Sequence, residues 1–165
     1  MKKILLLFIG VLALISCEAQ NNTEFSKEAL ENKMISKENQ SVTFQEIIEQ
    51  YKGKTVFIDV WASWCPDCVK GMPKVKALQK EHPELVYLFI SMDKTYDAWL
   101  KGIEKYEVTG KHYLTTDGMK GVFGKSIALD WIPRYMIVDK TGKIALFKVI
   151  EADDAKIEET LSKLE

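Results

Sequence analysis

The sequence predicts an α/β fold: a mixed central sheet flanked by helices. Apolar runs of strand length alternate with segments whose apolar residues recur at helical spacing. The alternation ends in two strands joined at Lys140-Thr141-Gly142-Lys143, a hairpin signal. A last helical pattern follows. Alternation closed by a hairpin argues a mixed sheet with helices on both faces rather than an all-parallel one.

The length of 165 residues suits one domain with extensions. A hydrophobic fraction of 47% beside 28% charged residues is ordinary for a chain with a real core. The net charge of −1 gives no reason to expect nucleic acid as a partner. Lys2 and Lys3 precede an almost purely apolar run from Ile4 to Ile15. That run falls short of the roughly 20 residues of a membrane span and fits a signal-peptide core. It ends in Leu14-Ile15-Ser16-Cys17, which looks like a bacterial lipobox. Residues 1–16 are therefore read as a lipoprotein signal peptide and Cys17 as the lipidated first mature residue. An uncleaved anchor, or a plain signal peptide with an incidental cysteine, are the alternatives. In each case the rest of the chain is exported. Removing residues 1–16 leaves 21 basic and 24 acidic residues, a net −3.

Residues 17–41 are polar and read as a tether, with a transient helix near Lys27–Asn32. The domain proper is expected over residues 42–165. Thr43-Phe44-Gln45-Glu46 is a capping-box pattern, and Phe44, Ile47, Ile48 and Tyr51 form one helical face that Gly53 ends. Thr55 to Val60 is apolar enough for a central strand. A helix opens after Cys65 with Pro66 at its first position, and Pro73 should kink it. Leu85 to Met92 reads as a strand buried on both faces, Asp97 to Tyr106 as a helix, and Lys111 to Thr115 as a short strand. Gly118, Gly121 and Gly124 match neither a dinucleotide fingerprint nor a phosphate loop, and read as a loose or closely packed helix. Arg134 to Asp139 and Ile144 to Ile150 form the hairpin. Asp153 or Asp154 caps the last helix, whose face carries Ile157, Leu161 and Leu164.

Cys65 and Cys68 stand where a strand passes into a helix. Two thiols so spaced can close a small disulfide, and the helix N-terminus favours the thiolate of the first. A zinc half-site would need two more ligands, and His82 and His112 do not form a ligand pair. A static disulfide here would constrain little chain. The strand, C-x-x-C, helix context favours redox chemistry.

Trp64-Cys65-Pro66-Asp67-Cys68, following Asp59-Val60-Trp61-Ala62, resembles the thioredoxin superfamily. Asp59 lies where thioredoxins have a buried acid, Pro73 where they have a helix proline, and Ile132-Pro133 where they have a cis-proline. The match spans about residues 42–165. Pro133 follows Cys65 by 68 residues, longer than a minimal thioredoxin needs. The excess fits the central strand–helix insertion of TlpA/ResA-like membrane-tethered thiol–disulfide oxidoreductases, here near Trp99 to Thr115.

The resemblance implies roles. Cys65 is the exposed attacking thiolate, and Cys68 resolves the mixed disulfide. Asp59, its pKa raised by burial, is the base for Cys68. Pro133 is cis, and the Ile132 backbone pairs with an extended substrate beside Trp64. No cofactor is implied beyond the Cys65–Cys68 disulfide. The implied partners are protein thiols and disulfides, a membrane thiol transporter as electron donor, and the membrane through the lipid. The expected location is the cell envelope, facing the periplasm or exterior, and the expected state a monomer. Reduction is the favoured direction. The rival is a thioredoxin-fold copper-binding or non-catalytic binding module; a peroxiredoxin is disfavoured, since no P-x-x-x-T-x-x-C pattern precedes Cys65.

Three residues depart from the family pattern. Asp67 puts a carboxylate between the thiols and opposes thiolate formation, against the pull of the helix end. Trp131 either narrows the substrate groove or packs inward. Arg134 either favours an acidic partner or pairs with Asp130.

Overall fold

A computed structural model of the chain describes residues 23–164; the segment expected to be a signal peptide and Cys17 lie outside the described residues. Thirteen elements run in the order α1 (Lys27–Glu31), β1 (Lys33–Ser36), β2 (Ser41–Thr43), α2 (Phe44–Glu49), β3 (Val56–Trp61), α3 (Pro66–Glu81), β4 (Val86–Ser91), α4 (Tyr96–Tyr106), β5 (Lys111–Thr115), α5 (Val122–Ser126), β6 (Arg134–Val138), β7 (Ile144–Val149) and α6 (Ala155–Leu161). The strands form one mixed sheet in the order β2-β1-β5-β4-β3-β6-β7.

β3 is the central strand, and all six of its residues are buried. It pairs in parallel with β4, Asp59 facing Phe89, and antiparallel with β6, Asp59 facing Tyr135. β5 extends the parallel set beyond β4. Right-handed crossovers place α3 and α4 on the same face. Lys76 of α3 meets Glu107 at the end of α4, and Gln79 donates to the Thr109 carbonyl. α6 joins that face through His82–Glu158. The opposite face carries α1, α2 and α5, where Phe44 packs edge-on against both Phe25 and Phe123.

The tether expected over residues 17–41 is corrected. From α1 onward this stretch belongs to the domain. β1 pairs antiparallel with β5 and β2 with β1. Ala29 and Met34 are fully buried. An edge hairpin needs only one apolar face, so its composition stays polar although its backbone is committed. Tyr51 also departs from expectation: α2 ends at Glu49 with Gln50 as its cap, and Tyr51 sits in the following turn. The capping box itself is present, with Thr43 Oγ1 accepting from Glu46 N at 3.2 Å and Glu46 Oε2 accepting from Thr43 N at 2.7 Å. α4 and β5 occupy the stretch assigned to the insertion. At the hairpin, Asp139 Oδ1 accepts from the Thr141 and Lys143 backbones, and Gly142 adopts φ +90°.

α3 runs for 16 residues and continues through Pro73. Its interior also holds Gly71, where alanine would be better by roughly 0.5–1 kcal/mol on backbone grounds alone. The reason lies on the sheet. A Cβ added at Gly71 would stand 2.5 Å from the Tyr135 hydroxyl oxygen but 3.8 Å from the ring carbon that bears it. The glycine is thus the recess that admits the tyrosine hydroxyl under the helix.

That pairing is testable by denaturant unfolding. Gly71→Ala should destabilise the protein by about 1–3 kcal/mol, as overpacking does. In a Tyr135→Phe background the same change should be neutral or stabilising by up to about 1 kcal/mol, because only the helix preference remains. Equal losses in both backgrounds would show that something other than the hydroxyl demands the glycine.

Candidate active site

The strand-to-helix junction follows from the local sequence. β3 ends at Trp61 with its pairing exhausted, and Pro66 supplies the fixed φ and missing N–H suited to a first helical turn. Cys65 is the N-cap of α3, and its Sγ accepts from the Cys68 amide at 3.2 Å. The loop between is anchored from β4. Asp93 accepts from the Ser63 amide at 3.0 Å, from the Ser63 hydroxyl at 2.6 Å and from the Ser91 hydroxyl at 2.8 Å. The dithiol therefore sits outside the carboxyl ends of the parallel strands, where open α/β sheets hold their sites.

Cys65 and Cys68 are joined as a disulfide, with Cα atoms 5.3 Å apart. Both are buried. Cys65, expected to be exposed, is only 3% accessible. The chain before β6 covers it: the Ile132–Pro133 peptide is cis, and the Ile132 carbonyl oxygen lies 3.5 Å from Cys65 Sγ. What is exposed is the rim. Trp131 is 64% accessible, Trp64 55% and Ile150 55%. The core alternative for Trp131 is therefore excluded, and the residue stands on the rim. A cleft of about 300 Å³ opens beside the dithiol, lined by Asp67, Lys70, Trp131, Pro133, Tyr135 and Ile150 among others.

Asp59 is 1% accessible, and neither carboxyl oxygen has a hydrogen-bond partner among the described residues. Its place under α3 follows from the register. Asp59 is directly opposite Tyr135, so both side chains leave the same face of the sheet, and Tyr135 ends against Gly71, one turn beyond Cys68. Phe57, two residues earlier on the same face, stacks on Tyr135 at 5.5 Å. Desolvation pushes the Asp59 pKa up to about 8. A carboxyl so placed is neutral at rest yet can ionise near working pH, the range in which a general base is effective.

Arg134 takes the second of its two readings. Its side chain is fully buried and pairs with Asp130 Oδ1 at 2.5 Å. It also donates to the Ile127 carbonyl at 2.8 Å and the Ala128 carbonyl at 3.3 Å. The guanidinium thus closes the C-terminal end of α5 and braces the loop that presents Trp131. The Lys148 hydrogen bond to Asp130 holds that carboxyl down at about 2. Asp67 is largely exposed, with Lys70 Nζ 3.7 Å away. Tyr135 and Asp93 were not singled out from sequence. A polar residue opposite the buried acid, and an acid just past the next strand, were the available signals.

The histidines stand elsewhere. His82 caps the far end of α3, about 24 Å along the helix, between Glu84 and Glu158. His112 is buried against Phe89, with its pKa lowered to about 4 by desolvation. Among the described residues, no group of three or more His, Cys, Asp or Glu is arranged to hold a metal ion.

Residues 19–162 match the Redoxin family. The thiol-disulfide oxidoreductase ResA of Bacillus thuringiensis is 28% identical, over 99% of each chain. The thiol:disulfide interchange protein DsbE of Haemophilus influenzae is 27% identical over 85% of this chain and 80% of its own. The solved thioredoxin domain of a thiol-disulfide oxidoreductase from Bacteroides vulgatus superposes with a TM-score of 0.65 at 26% identity, covering 81% of this chain and 92% of that one.

The buried acid predicts a pH dependence of stability. The folded oxidised protein holds the Asp59 proton up to about pH 8, whereas the unfolded chain releases it near the ordinary carboxyl value of 3.8. This contribution is full below the unfolded value and is lost as pH rises toward 8. Each pH unit in that window should remove up to about 1.4 kcal/mol relative to Asp59→Asn, whose profile lacks this slope. Denaturation midpoints from pH 4 to 9 read the difference directly, and parallel profiles would show that Asp59 is not a buried, protonated acid.

Proposed function

The chain belongs to the Redoxin family and is a TlpA/ResA-like thiol–disulfide oxidoreductase; within that class we propose that it reduces disulfides of exported proteins from the cell envelope, held there by a lipid on Cys17. The observation that carries the catalytic part is the disulfide on the first turn of α3 above a partnerless buried carboxyl. Cys65 Sγ faces the helix N-terminus and accepts the Cys68 amide. That environment stabilises a thiolate, and so supports Cys65 as the attacking sulfur.

In the proposed cycle the Cys65 thiolate attacks a substrate disulfide and releases one substrate thiolate, leaving a mixed disulfide. Cys68, deprotonated by Asp59, then attacks Cys65 Sγ. The second substrate sulfur leaves, and the Cys65–Cys68 disulfide closes. Two electrons pass from the dithiol to the substrate, so a donor must reduce the enzyme again. A membrane thiol transporter suits a tethered protein outside the cytoplasm.

The rim supports a polypeptide substrate. Trp64, Trp131 and Ile150 expose large apolar surface around the dithiol, the mark of a contact surface. The cis Ile132–Pro133 backbone lies against Cys65, and supports pairing of an extended substrate with Ile132. The lipid anchor is supported by the lipobox pattern ending at Cys17. A copper-binding or non-catalytic role has no observation of its own in its favour.

Insulin reduction with dithiothreitol should proceed with the wild type and stop with Cys65→Ala, while Cys68→Ser should accumulate mixed disulfides with substrate. The midpoint potential should lie nearer the about −270 mV of thioredoxin than the about −120 mV of a strong oxidant. A strongly oxidising value would reverse the direction proposed. In cells, a radioactive fatty acid should label the wild type and not Cys17→Ala; equal labelling, or none, would remove the anchor.

A further inference from the structure

A base buried as deeply as Asp59 poses a problem of access. It must lose its own proton before it can take that of Cys68, yet its carboxyl has no hydrogen-bond partner among the described residues. Tyr135 is the polar side chain beside it. The two residues are a cross-strand pair on the face beneath α3. Directly opposed residues of an antiparallel pair have Cβ atoms about 4.5–5.5 Å apart. The Tyr135 hydroxyl ends at Gly71, and both residues line the cleft beside the dithiol. One side chain thus spans from the acid to the cleft. The glycine that admits its hydroxyl stands in a helix interior, where alanine would otherwise be preferred.

We propose that the Tyr135 hydroxyl carries the proton between Asp59 and the cleft, unloading the base so that it can deprotonate Cys68. This rests on the reading of Asp59 as that base. Neutral Asp59 gives its proton, through one bridging water, to the tyrosine oxygen. The hydroxyl releases its own proton on the cleft side, so the phenol is neutral before and after. The Asp59 carboxylate then takes the Cys68 proton. The Cys68 sulfur forms its bond to Cys65, and the bond from Cys65 to the substrate breaks. The substrate sulfur leaves with that electron pair and collects the proton delivered to the cleft. Asp59 ends neutral, as it began, and the proton count closes.

The surroundings suit a neutral relay. Burial raises the Tyr135 pKa well above its ordinary value, and the charges of Asp59, Glu151 and Asp153 raise it further. The charged groups facing it are Asp59 from β3, Asp67, Lys70 and Lys74 from α3, and Glu151 and Asp153 from the segment after β7. Lys74 is occupied by Glu151 and Asp153, at 2.7 and 2.9 Å.

Stopped-flow mixing of reduced protein with the disulfide of thionitrobenzoate reads both steps. The first released thiol reports attack by Cys65, and the second reports resolution by Cys68. At pH 6–7, Tyr135→Phe should slow the second phase about tenfold and leave the first unchanged, a modest share of what general acid–base catalysis supplies. The defect should fade as pH rises past about 8, where Asp59 is already ionised. Gly71→Ala, which displaces the hydroxyl, should reproduce this profile. Asp59→Asn should slow the second phase by about a hundredfold or more with no recovery near pH 8. If Asp59→Asn leaves the second phase intact, the base itself is misassigned and the relay falls with it. If Asp59→Asn slows it and Tyr135→Phe does not, the relay alone is wrong. A Tyr135→Phe defect equal at every pH, or shared by the first phase, would mark a packing effect and overturn the proposal.

Discussion

The site depends on the double pairing of β3. Held by β4 on one edge and β6 on the other, Val56–Trp61 cannot shift register without turning its buried set to the wrong faces. That register puts Phe57 and Asp59 beneath α3, and it sets Asp59 against Tyr135. It also delivers the chain at Trp61 to the point where Cys65 can cap a helix. The antiparallel partner begins at Arg134, so the segment preceding β6 must cross the same end of the sheet. That crossing lays Ile132 against Cys65. One pairing pattern therefore brings together Cys65, the buried acid and the cis Ile132–Pro133 peptide.

Two carboxylates act on the dithiol from opposite environments. Asp67 is adjacent in sequence but lies in water with Lys70 nearby, where a unit charge at a few ångströms is worth on the order of 1 kcal/mol. Asp59 is buried with no hydrogen-bond partner among the described residues, and a charge there is screened far less. Once it gives up its proton, Asp59 carries the less screened of the two charges, although Asp67 is the conspicuous departure in the motif. Asp59 is tolerated because it is neutral at rest: the structure bears the cost of an unsatisfied polar group, not of a bare charge.

The major helices and all five strands from β3 onward are legible in the sequence because each carries its own period or a long apolar run. The redox pair, Asp59 and Pro133 are legible because fixed spacings tie them to one another. The missed part has a common physical cause. β1 joins the sheet through β5 and β2 through β1, and strands at the edge of a sheet need few apolar residues to do so. Arg134 reads as a surface charge, since nothing local shows that three loop acceptors will enclose it. The covering of Cys65 comes from a residue 67 positions away, which spacing along the chain cannot display. Gly71 and Tyr135 look unremarkable one by one, and acquire meaning only as a pair.

That pair bears on why the acid is buried so completely. A base open to water would exchange protons easily, but its pKa would lie far below the working range, and a carboxylate near 4 is a poor base for a thiol. Burial corrects the basicity and at the same time removes the route by which the proton leaves. The two demands conflict for any single residue. They are met together only when a second group, itself too weakly acidic to hold a charge, links the buried carboxyl to the cleft while leaving it closed to bulk solvent. Tyr135 has that position and that chemistry, and the recess at Gly71 keeps its hydroxyl there.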